Sequence, residues 1–160
     1  MNSVDFDTIV IGAGPAGSTA AALLAEKGHN VALLEKTKFP RYHVGESLMP
    51  FCYFPLERLG LTDQMDEIGF TKKFSVQFVT EDGCQSRPFY FFQHYDHPSS
   101  TTWQVLRSQF DELIMDKARE NGAEVRELTT VKSFIEESDN IVGVNAISPD
   151  SEPYELRAPM

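Results

Sequence analysis

The chain has 160 residues, 41% apolar and 24% charged, the composition of an ordinary globular domain and not of a disordered tail or a collagen-like chain. Lys and Arg number 14 against 24 Asp and Glu, a net charge of −10. This argues against non-specific nucleic-acid binding, which depends on Lys and Arg neutralising phosphates.

Residues 6–11 (FDTIVI) form a short apolar run ending in glycines, the pattern of a buried strand. Pro15 to Lys27 is a predicted helix: Pro suits the first turn, the alanines and leucines favour helix, and Gly28 stops it. Residues 30–34 (NVALL) are a second strand ending at Glu35. Together they have the size of one βαβ unit, whose right-handed crossover makes the two strands parallel neighbours. A Pro- and Gly-marked loop follows to Pro50, then helix over Phe51 to Ile68 in two pieces broken at Gly60. Lys73 to Val79 and Ser86 to Gln93 are aromatic, β-rich runs joined by the turn Glu81-Asp82-Gly83, and Thr101 to Leu106 is another strand. Within them, Phe89 to Phe92 is expected mainly as a buried sheet face, with aromatic stacking on a substrate as the alternative. Arg107 to Asn121 is helical, with Phe110, Leu113, Ile114 and Ala118 on one face and Ser108 with Asp111 as a capping box. Ala123 to Arg126 is a short strand. Thr129 to Glu137 and Ile141 to Ile147 form a hairpin, and Tyr154 to Arg157 is a last strand.

The cysteines, Cys52 and Cys84, have no Cys-x-x-Cys spacing, and His43, His94 and His97 lack a matching second ligand set, so no metal site is expected. No apolar run reaches the length of a membrane span. The N-terminus lacks the basic region of a signal peptide. A cytoplasmic protein with two free thiols is expected.

The strongest motif is Gly12-Ala13-Gly14-Pro15-Ala16-Gly17. It follows a strand, opens a helix and precedes a strand that ends in an acid, the context a dinucleotide fingerprint requires. Gly12 permits the tight turn, Gly14 lets a pyrophosphate approach the backbone, and Gly17 lets helix pack on strand. The helix N-terminus then offers N–H groups and the positive dipole end to the anion. Glu35 accepts hydrogen bonds from a ribose diol and repels a 2′-phosphate, which disfavours NADP.

The next stretch runs Phe39-Pro40-Arg41-Tyr42-His43-Val44-Gly45-Glu46-Ser47-Leu48-Met49-Pro50. Taken with the glycine fingerprint, it resembles the flavin-dependent halogenases and their relatives among the para-hydroxybenzoate-hydroxylase-like FAD-dependent oxidoreductases. The resemblance is dense over residues 5–61 and most specific at Gly45-Glu46-Ser47. It implies an α/β fold: a Rossmann-like FAD/NAD(P)-binding domain over 1–69 and 107–160, with an antiparallel, aromatic-rich β excursion over 70–106 towards the substrate side. It also implies that the chain is the N-terminal portion of a larger flavoprotein.

The cofactor implied is FAD, with Gly12, Gly14, Pro15, Ala16, Gly17, Glu35, Lys36, Arg41, Gly45, Glu46, Ser47 and Arg107 on the cofactor side, and Val131 at the adenine by position. Arg107 opens a predicted helix, where a cation is disfavoured by the dipole and a bound anion compensates. In such halogenases one lysine lies some way past the Gly-Glu-Ser segment with a phenylalanine five positions on. Lys73 and Phe78 match, and Lys72 is second. Reduced flavin and O2 oxidise halide to hypohalous acid, and the lysine holds the halogen by hydrogen bond or as a haloamine beside an aromatic or electron-rich small molecule. A desolvated amine suits that role. The partners implied are the small-molecule substrate, halide and a separate flavin reductase, with no nucleic acid. Two alternatives remain at this point: a geranylgeranyl-reductase-like FAD enzyme, which needs no catalytic lysine, and a non-catalytic dinucleotide-binding fragment.

Overall fold

The computed structural model describes residues 4–160. These divide into two compact units, one made of the chain up to His43 together with Arg107–Met160, the other of Val44–Leu106.

The first unit is built on β1 (Thr8–Ile11), α1 (Pro15–Glu26) and β2 (Val31–Leu34). β1 and β2 pair in parallel, Thr8 opposite Val31 through Ile11 opposite Leu34. All four residues of β2 are buried, as the apolar run requires for a strand covered on both faces. β7 (Glu124–Arg126) adds in parallel on the far edge of β2, giving the order β1-β2-β7. The helix α4 (Arg107–Glu120) turns Phe110, Ile114, Met115 and Ala118 inwards and packs against α1. β8 (Thr130–Glu137), β9 (Asn140–Ile147) and β10 (Pro153–Arg157) make an antiparallel sheet in the order β10-β9-β8. Phe6, Ala32, Leu34, Val144, Leu156 and Ala158 close a common core. This is the Rossmann-like α/β arrangement that the fingerprint implies.

In the second unit, β3 (Thr71–Lys73), β4 (Ser75–Val76), β5 (Phe89–Tyr90) and β6 (Thr102–Gln104) are short, and α2 (Tyr53–Arg58) and α3 (Thr62–Glu67) flank the bend at Gly60. β6 is the central strand. β3 pairs antiparallel with it, Lys73 opposite Thr102. On its other edge Ser47 bridges Gln104, with Leu48 N–H donating to Trp103 O at 3.0 Å and Val105 N–H to Glu46 O at 2.8 Å.

Three expectations are corrected here. The run Ser86 to Gln93 is not a continuous strand: only Phe89–Tyr90 pair, against Ser75–Val76, and Phe91–Gln93 turn into a 3-10 helix. Pro88 has no N–H to give a ladder at the start of that strand. Phe89, Tyr90 and Phe92 are accordingly exposed and only Phe91 is buried, so the aromatic run is not a buried face. The capping box at Ser108 does not form either. α4 already begins at Arg107, and the Asp111 carboxylate is held by arginines.

Gly12 sits at φ +97 and a Cβ on Gly17 would overlap the Gly12 carbonyl oxygen. Gly17→Ala is expected to cost about 2 kcal/mol or more by forcing helix and strand apart, read as a fall in the denaturant midpoint. An unchanged midpoint would contradict the close packing of α1 on the turn.

Candidate functional site

The glycine turn leads directly into α1. Gly14 is the N-cap with no side-chain cap, Pro15 occupies the first turn, and no acidic residue stands there. The turn is held from behind by Glu35, buried at the end of β2. Glu35 Oε2 accepts from Ala13 N–H at 2.9 Å. Its Oε1 accepts from the Thr37 N–H at 2.9 Å and the Thr37 hydroxyl at 2.7 Å. Burial pushes the Glu35 pKa up, but these bonds and the Arg41 charge outweigh it and hold the carboxyl below its ordinary value. Glu35 therefore fixes the shape of the glycine turn, a role the spacing of the motif did not disclose. Thr37 was missed altogether, because a Thr two residues past a strand-end acid carries no sequence signal beyond its hydroxyl.

A cavity of about 240 Å³ opens at the carboxyl ends of β1 and β2, lined by Ile11, Gly12, Glu35, Lys36, Thr130 and Val131 among others. Ligands of open parallel sheets bind at this end of the strands. Lys36 and Val131 share the cavity wall with Glu35.

Two arginines meet one buried carboxylate nearby. Arg107 grips Asp111 in a fork, Nε to Oδ1 at 2.7 Å and Nη2 to Oδ2 at 2.9 Å, one helical turn apart. Arg41 Nη1 lies 3.3 Å from the same Oδ2 and its Nε 4.0 Å from Glu35 Oε1. Its guanidinium also stacks 4.7 Å over Phe39, and its Nη2 is the atom a Cβ on Gly14 would touch, at 3.8 Å. The cation placed at the mouth of the glycine turn is thus Arg41. The helix-start charge of Arg107 is balanced internally by Asp111, which sequence analysis had assigned to a cap.

In the second unit the sheet itself sorts the two lysines. Side chains alternate faces along a strand and neighbours across strands share a face. Lys73, Thr102 and Met49 form one row: Lys73 pairs Thr102, and the Thr102 hydroxyl donates to Met49 O at 3.4 Å. Thr102 is small and fully buried, so the Lys73 chain passes over it. Lys73 Nζ donates to Ser47 Oγ at 2.6 Å and to Leu48 O at 2.9 Å, and lies 4.0 Å from Met49 Sδ and 5.7 Å from the Phe91 ring centre. Burial lowers the Lys73 pKa. Lys72 faces the other way, paired with Asp66 and 4.8 Å over the Trp103 ring. Trp103 Nε1–H donates to the same Asp66 oxygen at 2.9 Å. The structure thus brings Lys73 to Ser47, 26 residues away in sequence. Glu46 is engaged with the N–H of Gly45 at 3.0 Å. Phe78, the spacing marker for Lys73, is exposed. An open apolar cavity of about 460 Å³ adjoins the row at Met49 and is lined by Pro50, Phe51, Phe54, Tyr95 and Ser99.

The Glu35 carboxylate stabilises the fold fully above its ordinary pKa of 4.5, and this contribution is lost as pH falls through its lower folded value. Glu35→Gln is expected to cost about 2 kcal/mol at neutral pH and to flatten the acid limb of stability below that ordinary value. Denaturant midpoints over an acid pH series check this. Parallel curves for the two proteins would count against the carboxylate as the anchor of the turn.

Comparison with known proteins gives a consistent answer. The tryptophan halogenase family model matches residues 7–101. A flavin-dependent halogenase of Armillaria mellea is 41% identical over 128 residues, 80% of this chain and 25% of that protein. The 1H-pyrrole-2-carbonyl-[peptidyl-carrier protein] brominase of Pseudoalteromonas luteoviolacea is 36% identical over 92% of this chain and 34% of its own length. Among solved structures, the myxobacterial FAD-dependent chondrochloren halogenase superposes with a TM-score of 0.88 at 36% identity, covering 96% of this chain and 35% of that one. The chain thus spans a quarter to about a third of the length of these proteins. With its parallel βαβ turn and its match over more than half of its residues, the chain belongs to the tryptophan halogenase family of flavin-dependent halogenases.

Proposed function

We propose that the whole protein of which this chain is part binds FAD and halogenates an aromatic or other electron-rich small molecule, with Lys73 as the catalytic residue. The observation that carries this reading is the Lys73 amine, lowered in pKa by burial and held by the Gly-Glu-Ser segment through Ser47. The chain's own residues fit the cofactor. An uncapped helix N-terminus with a guanidinium at its mouth suits a pyrophosphate. The Gly12, Gly14, Pro15, Ala16, Gly17 turn and Arg41 would hold the phosphates, Glu35 the ribose diol, and the cavity wall at Lys36 and Val131 the adenosine end. Arg107 supports Arg41 through Asp111. Gly45, Glu46 and Ser47 would serve the flavin side.

The chemistry such a cofactor supplies when reduced is the activation of O2 that oxidises halide to hypohalous acid. Lys73 then holds the halogen. An amine lone pair forms the N–X bond as the O–X bond breaks and water leaves; alternatively an N–H of Lys73 hydrogen-bonds the hypohalous acid. Burial lowers the Lys73 pKa, the direction the first route needs. Ser47 and the Leu48 carbonyl keep Nζ in place. Lys72, committed to Asp66 and Trp103, has no part in this. A separate flavin reductase and a halide complete the reading. Among the described residues no helix is long and apolar enough to cross a membrane. The reading includes a cytoplasmic location, in keeping with a chain that has only two cysteines.

In the full-length protein supplied with reduced flavin, O2, bromide and a panel of phenols, pyrroles and indoles, a bromine isotope pattern is expected in the product. Lys73→Ala is expected to lower product formation about 100-fold or more while FAD binding and flavin oxidation persist; Lys72→Ala keeps most of the activity. Halogenation that survives Lys73→Ala would remove this lysine from the mechanism.

A further inference from the structure

Met49 stands at a chemically exposed place. Its Sδ is 4.0 Å from Lys73 Nζ, its side chain is on the Lys73 face of the sheet, and it lines the open 460 Å³ cavity. Met49 as a whole residue is half exposed, at 51%. Met65 and Met115 are buried in the cores. An oxidant made or carried at Lys73 meets Met49 first, because the sulfur is already against the nitrogen.

We propose that Met49 is an oxidation site built into the halogenation centre, converted to methionine sulfoxide when active halogen finds no organic substrate. This rests on the reading of Lys73 given above. The step balances without a further reagent. A sulfur lone pair attacks the halogen, the S–X bond forms and the O–X bond of hypohalous acid breaks to release hydroxide. Water then adds to sulfur, the S–O bond forms, and halide departs with the electron pair while protons pass to solvent. The sum is thioether plus hypohalous acid giving sulfoxide, halide and a proton. From a Lys73 haloamine the N–X bond breaks instead, one water is consumed, and the free amine returns. Sulfur is oxidised by two electrons and the halogen is reduced to halide.

The product has a consequence for the site. A sulfoxide oxygen is a strong acceptor on a side chain that was apolar. Beside Nζ it competes with Ser47 Oγ and Leu48 O, the two groups that position the amine. Oxidation of Met49 thus turns idle turnover into loss of activity, and it is reversible by sulfoxide reduction. Cys52, a partly buried free thiol of the same unit, is the competing target.

The test uses full-length protein with FAD, a flavin reductase, O2 and bromide but no organic substrate, followed by peptide mass spectrometry. Oxygen is expected on Met49 about ten-fold faster than on Met49 of Lys73→Ala at the same flavin turnover, in keeping with a proximity advantage; a phenol suppresses it. Met49→Leu should extend the number of turnovers before activity decays. Met49 oxidised equally fast in Lys73→Ala, or oxidation at Cys52 in its place, would overturn the proposal while leaving halogenation intact. Absence of any bromide-dependent oxidant would instead overturn the reading of Lys73, and this proposal with it.

Discussion

The second unit depends on one strand. β6 has neighbours on both edges, β3 on one side and the Gly45 to Met49 segment on the other. Strands lie about 4.8 Å apart, so a lysine on β3 reaches the far segment only by crossing β6. Thr102 makes that possible: it is the β6 residue beside Lys73, and its side chain is short enough to pass under the lysine stem. The amine arrives at Ser47 and Leu48 on that face. The same alternation sends Lys72 to Asp66 and Trp103. A difference of one residue thus separates an amine drawn into a polar corner from an ordinary surface ion pair of little energetic consequence.

The first unit solves a different problem with different physics. An anion site at a helix N-terminus needs backbone N–H groups free of side-chain caps, and a turn that keeps its shape without them. Glu35 supplies the shape by accepting from Ala13 and Thr37. Arg41 supplies positive charge at the mouth, and its orientation rests on Phe39 and on the carboxylate of Asp111. Asp111 is fully buried, and two guanidiniums face it. A buried carboxylate so engaged is costly to strip of its partners, which makes the Arg41–Asp111–Arg107 group a rigid support.

The βαβ core was legible because its signals are local. A four-residue buried strand, a Pro-led alanine helix and a strand-end acid each announce themselves within a short window, and the glycine spacing carries a steric meaning that Gly17 bears out. The hairpin of β8 and β9 was legible for the same reason. The aromatic stretch was not, since β-propensity of Phe and Tyr says nothing of whether a partner strand exists; only two of its residues found one. Arg107 illustrates the other limit. Its place at a helix start was visible, but its partner four residues on was assigned to the backbone. The Lys73–Ser47 contact joins positions 26 apart through a third strand, and no spacing in the sequence encodes it. The family resemblance pointed to the lysine, and the sheet register brings it to Ser47.

The account turns on the Lys73 amine being desolvated and held at Ser47. Competitive isotope labelling of lysines with acetic anhydride over a pH series measures this directly. The account predicts that Lys73 titrates below the ordinary lysine value, and that Ser47→Ala alters its reactivity. A Lys73 that titrates at the ordinary value, indifferent to Ser47, would contradict it.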